Sequence, residues 1–161
     1  MLFNQVSKGD PEKIFMVCFN VEADDLLEGE LVNWKNSTLP LVLIGGKNPL
    51  GLQVFRSLQT ASSDRSIAGV VKNRLIPKQG YGLVQTYGFC FVRTDAGANV
   101  TVNSPVGLSS AEAGRCNLYN PTISSLNQFY FIRICLLSST DCGLLSPPRT
   151  DQAGVFLNRL M

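Results

Sequence analysis

The chain has 161 residues, 45% hydrophobic and 16% charged, with 14 Lys+Arg against 12 Asp+Glu, five Cys and no His. That length suits one domain with a core of its own, and the apolar fraction excludes a disordered chain. The near-neutral balance argues against a nucleic-acid binder, which needs many cationic groups, and a charge fraction below the usual ~25% predicts surface facing another protein.

Residues 1–12 begin Met1-Leu2-Phe3 and then turn polar, which predicts a leading arm without the sustained apolar stretch of an export signal. A strand is expected at 13–19, with Ile14, Met16 and Cys18 on one face and Phe15, Val17 and Phe19 on the other. The acidic group Glu22, Asp24, Asp25, Glu28 and Glu30 follows. Its spacing does not match a calcium loop, so it reads as a solvated turn between two strands. A strand at 30–34 leads into a long connection, 36–51, that carries Leu39, Leu41, Val42, Leu43, Ile44 and Leu50. So many large apolar residues in a loop predict either that a neighbouring subunit orders it or that it folds back and caps one open end of its own barrel. Its Gly45-Gly46-Lys47 is not a P-loop, because the Lys comes early and Pro49 follows.

Strands are expected next at 52–56 and 67–72, separated by a polar loop at 59–66. Ile76-Pro77-Lys78-Gln79-Gly80 is a turn in which Pro fixes φ and Gly accepts a positive one. Strands at 82–87 and 89–93 follow, and Gly82 and Gly88 mark bulges or close backbone approach. Leu83, Tyr87, Phe89 and Phe91 share one face; Val84, Thr86, Cys90 and Val92 share the other. Two apolar faces need cover on both sides, from a second sheet, a loop or another subunit. Asp95-Ala96-Gly97-Ala98 connects to a strand at 98–103 with Ala98, Val100 and Val102 buried and Asn99, Thr101 and Asn103 wet. Strands at 115–118, 129–137 and 154–157 complete the set, with a loop at 145–154; segments 21–27 and 110–114 have room for a turn of helix. The pattern predicts an all-β fold, a small antiparallel β-barrel or sandwich over 13–161, with an N-terminal arm at 1–12 and long loops.

The absence of His excludes Ser-His-Asp and Cys-His catalysis and His-ligated zinc. Cys18, Cys90, Cys116, Cys135 and Cys142 lack C-x-x-C spacing and are odd in number, so they read as buried, reduced hydrophobes. Asp64, Asp95, Glu112, Asp141 and Asp151 are scattered, and nothing selects a glycosidase pair among them. The reading is a chain without catalytic, cofactor or metal residues, and no segment approaches the ~20 apolar residues of a spanning helix.

Two groups of residues carry a resemblance. One is Asn20-Val21 with Leu27-Glu28-Gly29-Glu30-Leu31-Val32-Asn33-Trp34. The other is Ala68-Gly69-Val70, Gly80-Tyr81-Gly82-Leu83-Val84-Gln85-Thr86-Tyr87-Gly88, then Val100 to Val106 and Ala113-Gly114. Together they resemble the capsid decoration, or cement, proteins of tailed bacteriophages, over roughly residues 18–115. Asn103 stands where that pattern has Gly. The resemblance implies a structural virion protein, made in the host cytoplasm and bound to the capsid exterior. Its partner would be the major capsid protein and its state a homo-oligomer, trimer or dimer, without nucleic acid or membrane. The candidate interface residues are Leu2, Phe3, Leu41, Leu43, Ile44, Tyr87, Phe89 and Phe91. The alternative is a carbohydrate-binding or fibre-type surface module.

Overall fold

The computed structural model describes residues 13–35, 52–57, 67–118, 131–145 and 151–157. The arm at 1–12, the connection at 36–51 and the loop at 59–66 lie outside them, as do residues 146–150 of the loop expected at 145–154, whose residues 152–154 are strand instead. In chain order the elements are β1 (Ile14–Asn20), β2 (Leu26–Leu27), β3 (Leu31–Trp34), β4 (Leu52–Arg56), β5 (Ile67–Val71) and β6 (Leu75–Ile76). They continue with β7 (Tyr81–Arg93), β8 (Pro105–Leu108), β9 (Cys116–Leu118), β10 (Phe131–Leu137), α1 (Ser139–Gly143) and β11 (Gln152–Leu157). The fold is all-β.

Strands β1, β4, β3, β5 and β7 pair in that order, and β7 pairs back onto β1, closing a five-stranded barrel. Every pairing in it is antiparallel except β1 with β4. β7 is 13 residues long and leaves this barrel at its midpoint. Tyr81 to Tyr87 pair with β1, whereas Gly88 to Arg93 pair with β11. From there the same nine-stranded sheet runs on through β11-β10-β8-β9. A single parallel bridge between Thr94 and Cys116 brings β9 back to the end of β7 and curls this part of the sheet round its own core.

The two units have separate interiors. Cys18, Leu26, Val32, Val54, Val71, Ile76 and Val84 fill the first. Cys90, Val92, Val106, Leu108, Cys116, Cys135 and Val155 belong to the second. Leu31 and Val70 pack in the second core while their neighbours Val32 and Val71 pack in the first. Alternation along a strand explains this: the outer face of the first barrel is the cover of the second. Two-faced apolarity thus finds its cover within the chain at this junction.

Gly88 makes the transition possible, with φ +95° at the point where β7 changes partners. Gln85 holds the bend. It is 1% exposed, and its Nε2 donates to the carbonyls of Tyr87 at 3.1 Å and Phe89 at 2.9 Å, on either side of the glycine. At the first core, the short pair β2–β6 lays Leu26 and Ile76 inward. Gly82 lacks a Cβ because the Ile76 side chain would meet it at 2.4 Å. Asn20 fastens this cover: its Nδ2 donates to the carbonyls of Asp24, Ile76 and Pro77, and its Oδ1 accepts from the Glu22 N–H.

Several sequence expectations are corrected. The strands at 82–87 and 89–93 are one strand. Residues 98–103 form no strand: Val100 is buried, but Val102 is 44% exposed and Asn103 has φ +64° in a turn closed by Ser104 N–H to the Thr101 carbonyl. β8 begins just beyond, at Pro105; β2, β6, β8 and α1 are elements that the sequence pattern does not predict. Segments 21–27 and 110–114 are not helical. In the 76–80 turn the positive φ falls on Gln79, at +52°; Gly80 is required because a Cβ would stand 2.5 Å from Pro77 Cγ. α1 starts on a capping box, Ser138 with Asp141, whose S-x-x-D spacing is legible in the sequence.

Candidate docking surface

On β1 and β7 the register pairs Met16 with Val84 and Cys18 with Gly82, and Met16, Cys18 and Val84 pack in the first core. Phe15, Val17, Phe19, Tyr81 and Leu83 therefore point outward. Val17 lies opposite Leu83, and Phe19 opposite Tyr81 with ring centroids 5.0 Å apart. Phe19 is buried by this contact, but Val17 is 51% exposed, Tyr81 47% and Leu83 40%. The result is an apolar stripe on the outside of the first barrel. Lys72 borders it, its N–H donating to the Leu83 carbonyl at 2.9 Å.

The second unit carries a different surface. Tyr87 packs edge-on against Phe156 at 5.4 Å, and Phe89 against Phe91 at 5.2 Å. All four are half-buried, and Leu136 on β10 is exposed. Of the predicted interface residues, Tyr87, Phe89 and Phe91 thus share β7 and engage other rings; Leu2, Phe3, Leu41, Leu43 and Ile44 fall outside the described residues. Val17, Tyr81 and Leu83 were not among the predicted set.

The acidic turn is more than solvated. Glu30 is 7% exposed, and its Oε2 accepts from the Leu27 N–H at 2.9 Å and from Arg56 Nε at 3.1 Å. Arg56 also donates to the Asp25 carbonyl, and the Glu22 carboxylate accepts the Arg56 N–H at 3.0 Å. The group ties β4 to the 22–30 turn. Asp95 is likewise buried, with Oδ2 accepting from Ser109 Oγ and Asn117 Nδ2. Among the described residues no three His, Cys, Asp or Glu side chains come together as a metal site.

All five cysteines are buried, and none is in a disulfide. Burial pushes the thiols of Cys18 and Cys90 up to about 12. That of Cys116 is raised by burial first, then by Asp95, Cys135 and Cys90 nearby. These thiols act as packing groups, since the thiolate is the reactive form.

No family model matches the chain, and no curated protein matches it. Solved structures do share its shape. A chain from the capsid of Myoviridae phage XM1 aligns with a TM-score of 0.56 and 16% identity, covering 100% of this chain and 92% of its own. The head fibre N base of bacteriophage phi29 aligns with a TM-score of 0.52 and 7% identity, covering 91% and 94%. The all-β fold of this chain is therefore one that these two phage proteins also adopt over almost their full lengths.

Proposed function

We propose that the chain is a structural protein of a bacteriophage virion that binds the outer surface of the head and bridges neighbouring major capsid proteins. The observation that carries this reading is the end-to-end fold likeness to chains from a phage capsid and a phage head fibre. The exposed apolar stripe and the low charge fraction support it, because both suit a chain that works in contact with protein. A head-binding protein of this kind stabilises by mass action: it binds the assembled lattice and not the separate subunits. It needs no catalytic residue, cofactor or metal. In this reading it is made in the host cytoplasm and acts as a homo-oligomer on the shell.

The deciding experiment is electron cryomicroscopy of native particles beside particles from a mutant phage lacking the chain. Density for the two-unit fold on the outer shell, absent from the mutant, is the expected result. Density elsewhere, or none, would refute the reading. The likeness to the head fibre N base favours a second reading, a fibre-type surface module. A projecting appendage above this density, in place of contacts between adjacent capsid subunits, would select it.

A further inference from the structure

We propose that the outer face of β1 and β7, centred on Val17, Leu83 and Tyr81, is the surface that meets the shell, and that its occupant is an uncharged, apolar segment of the capsid subunit. This rests on the head-binding reading and deepens it by naming the face and the chemistry of its partner.

The chemistry of the occupant follows from the face. Neither the Phe15–Phe19 run nor the Tyr81–Tyr87 run contains a charged residue. Lys72, on its border, already faces the Glu28 carboxylate at 4.0 Å, and the face itself holds no counter-ion, so burying a partner's charge there would leave that charge uncompensated. It rewards apolar side chains alone. The aromatic surface of the second unit is a weaker candidate, since Tyr87, Phe156, Phe89 and Phe91 already cover one another in pairs. Val17 and Leu83 pair across strands and still keep roughly half their surface in solvent.

The area argues against a second copy of this chain. An aromatic side chain such as Tyr81 covers roughly 150–250 Å², and Val17 and Leu83 cover less. The three together, at 40–51% exposure, offer on the order of 300 Å² at most. A stable dimer needs about 800 Å² per partner. A patch of this size works as one of several contacts that a copy makes at once, as on a lattice, where linked weak contacts multiply.

The test compares wild type, a Val17→Lys/Leu83→Lys double variant and a Leu144→Lys control, the last at a residue 81% exposed at the end of α1, which packs on β11. Each is checked for fold by circular dichroism and sized by sedimentation velocity. Each is then pelleted with heads purified from phage that lack the chain. Wild type and the control should bind alike, and the double variant should bind about tenfold more weakly or worse. If the double variant binds like wild type, the face is not the docking surface. If wild type is a dimer that the double variant splits, the face joins two copies and the assignment fails. Should wild type itself not bind heads, the head-binding reading fails first. If the double variant does not fold, the milder Leu83→Gln variant is read instead, with the same outcomes.

Discussion

Replacing Gln85 with Leu tests how the two units are held together. The side chain is buried at the bend, and its amide supplies donors to two carbonyls that flank a left-handed glycine. Leu fills nearly the same volume but donates nothing. Each hydrogen bond contributes about 1 kcal/mol net, and each stranded, partly buried carbonyl adds about 1 kcal/mol. The added apolar burial offsets about 1 kcal/mol of that. The expected loss is thus about 2–3 kcal/mol, or roughly 5–10 °C in Tm for a chain of this size. Urea unfolding followed by Trp34 fluorescence reads it, because Trp34 packs against the first core. Gln85→Glu sharpens the test: a carboxylate is isosteric but can only accept, so at neutral pH it should cost more than Leu. A Leu variant within about 0.5 kcal/mol of wild type, or a Glu variant more stable than the Leu variant, would show that the clamp does not hold the bend.

Gly69→Ala places a Cβ 2.1 Å from the Gln85 carbonyl oxygen, a backbone atom that cannot swing aside. It should cost more than about 3 kcal/mol, seen as loss of soluble protein or of a cooperative melt. Asn33 is fully buried with neither its Oδ1 nor its Nδ2 partnered, so Asn33→Leu should raise the urea midpoint by the equivalent of about 1–2 kcal/mol. The thiols of Cys18 and Cys90 titrate near 9 when unfolded and near 12 when folded. Above 9 the unfolded chain therefore binds fewer protons, and the stability they contribute, intact below 9, falls as pH rises toward 12. Urea midpoints at pH 7 and pH 10.5 check this, and Cys18→Val/Cys90→Val should shrink the difference to the part that Cys116, also raised by burial, still supplies. An aromatic disulfide reagent at pH 8 should label the native thiols only as fast as the protein opens.

Short apolar runs between turn residues made the all-β class legible, and 52–56 is a strand with the expected bounds. The apolarity of β7 on both faces also signalled that something must cover each side. That part of the cover is a second unit of the same chain was hidden, because it depends on β11 finding β7 across more than fifty residues. The failure at 98–103 is local: three alternating apolar residues suggested a strand, but a left-handed Asn103 turns the chain before Val102 reaches the core. Gln85 was the overlooked signal. A lone amide in a run as apolar as Leu83 to Val92 has to find buried partners, and it finds them in its own strand. The docking stripe was only half visible. Parity along β7 grouped Leu83 with Tyr87, Phe89 and Phe91, but the exposure of Val17 beside Leu83 is set by the β1–β7 register, which no local pattern encodes.

The shared strand also orders events during synthesis. Each pairing of the first barrel lies within residues 14–87, so that barrel can close while the ribosome is still adding the second half of the chain. The second half of β7 is then already aligned, but its partner β11 does not emerge until residues 152–157. During that interval Phe89, Cys90, Phe91 and Val92 form an unpaired, apolar strand edge, the kind of template that recruits other chains. Slow translation through residues 94–151, or a mutation that delays β11, should therefore produce aggregates whose first barrel is native. Faster pairing of β11, not a firmer first core, is the change expected to rescue them.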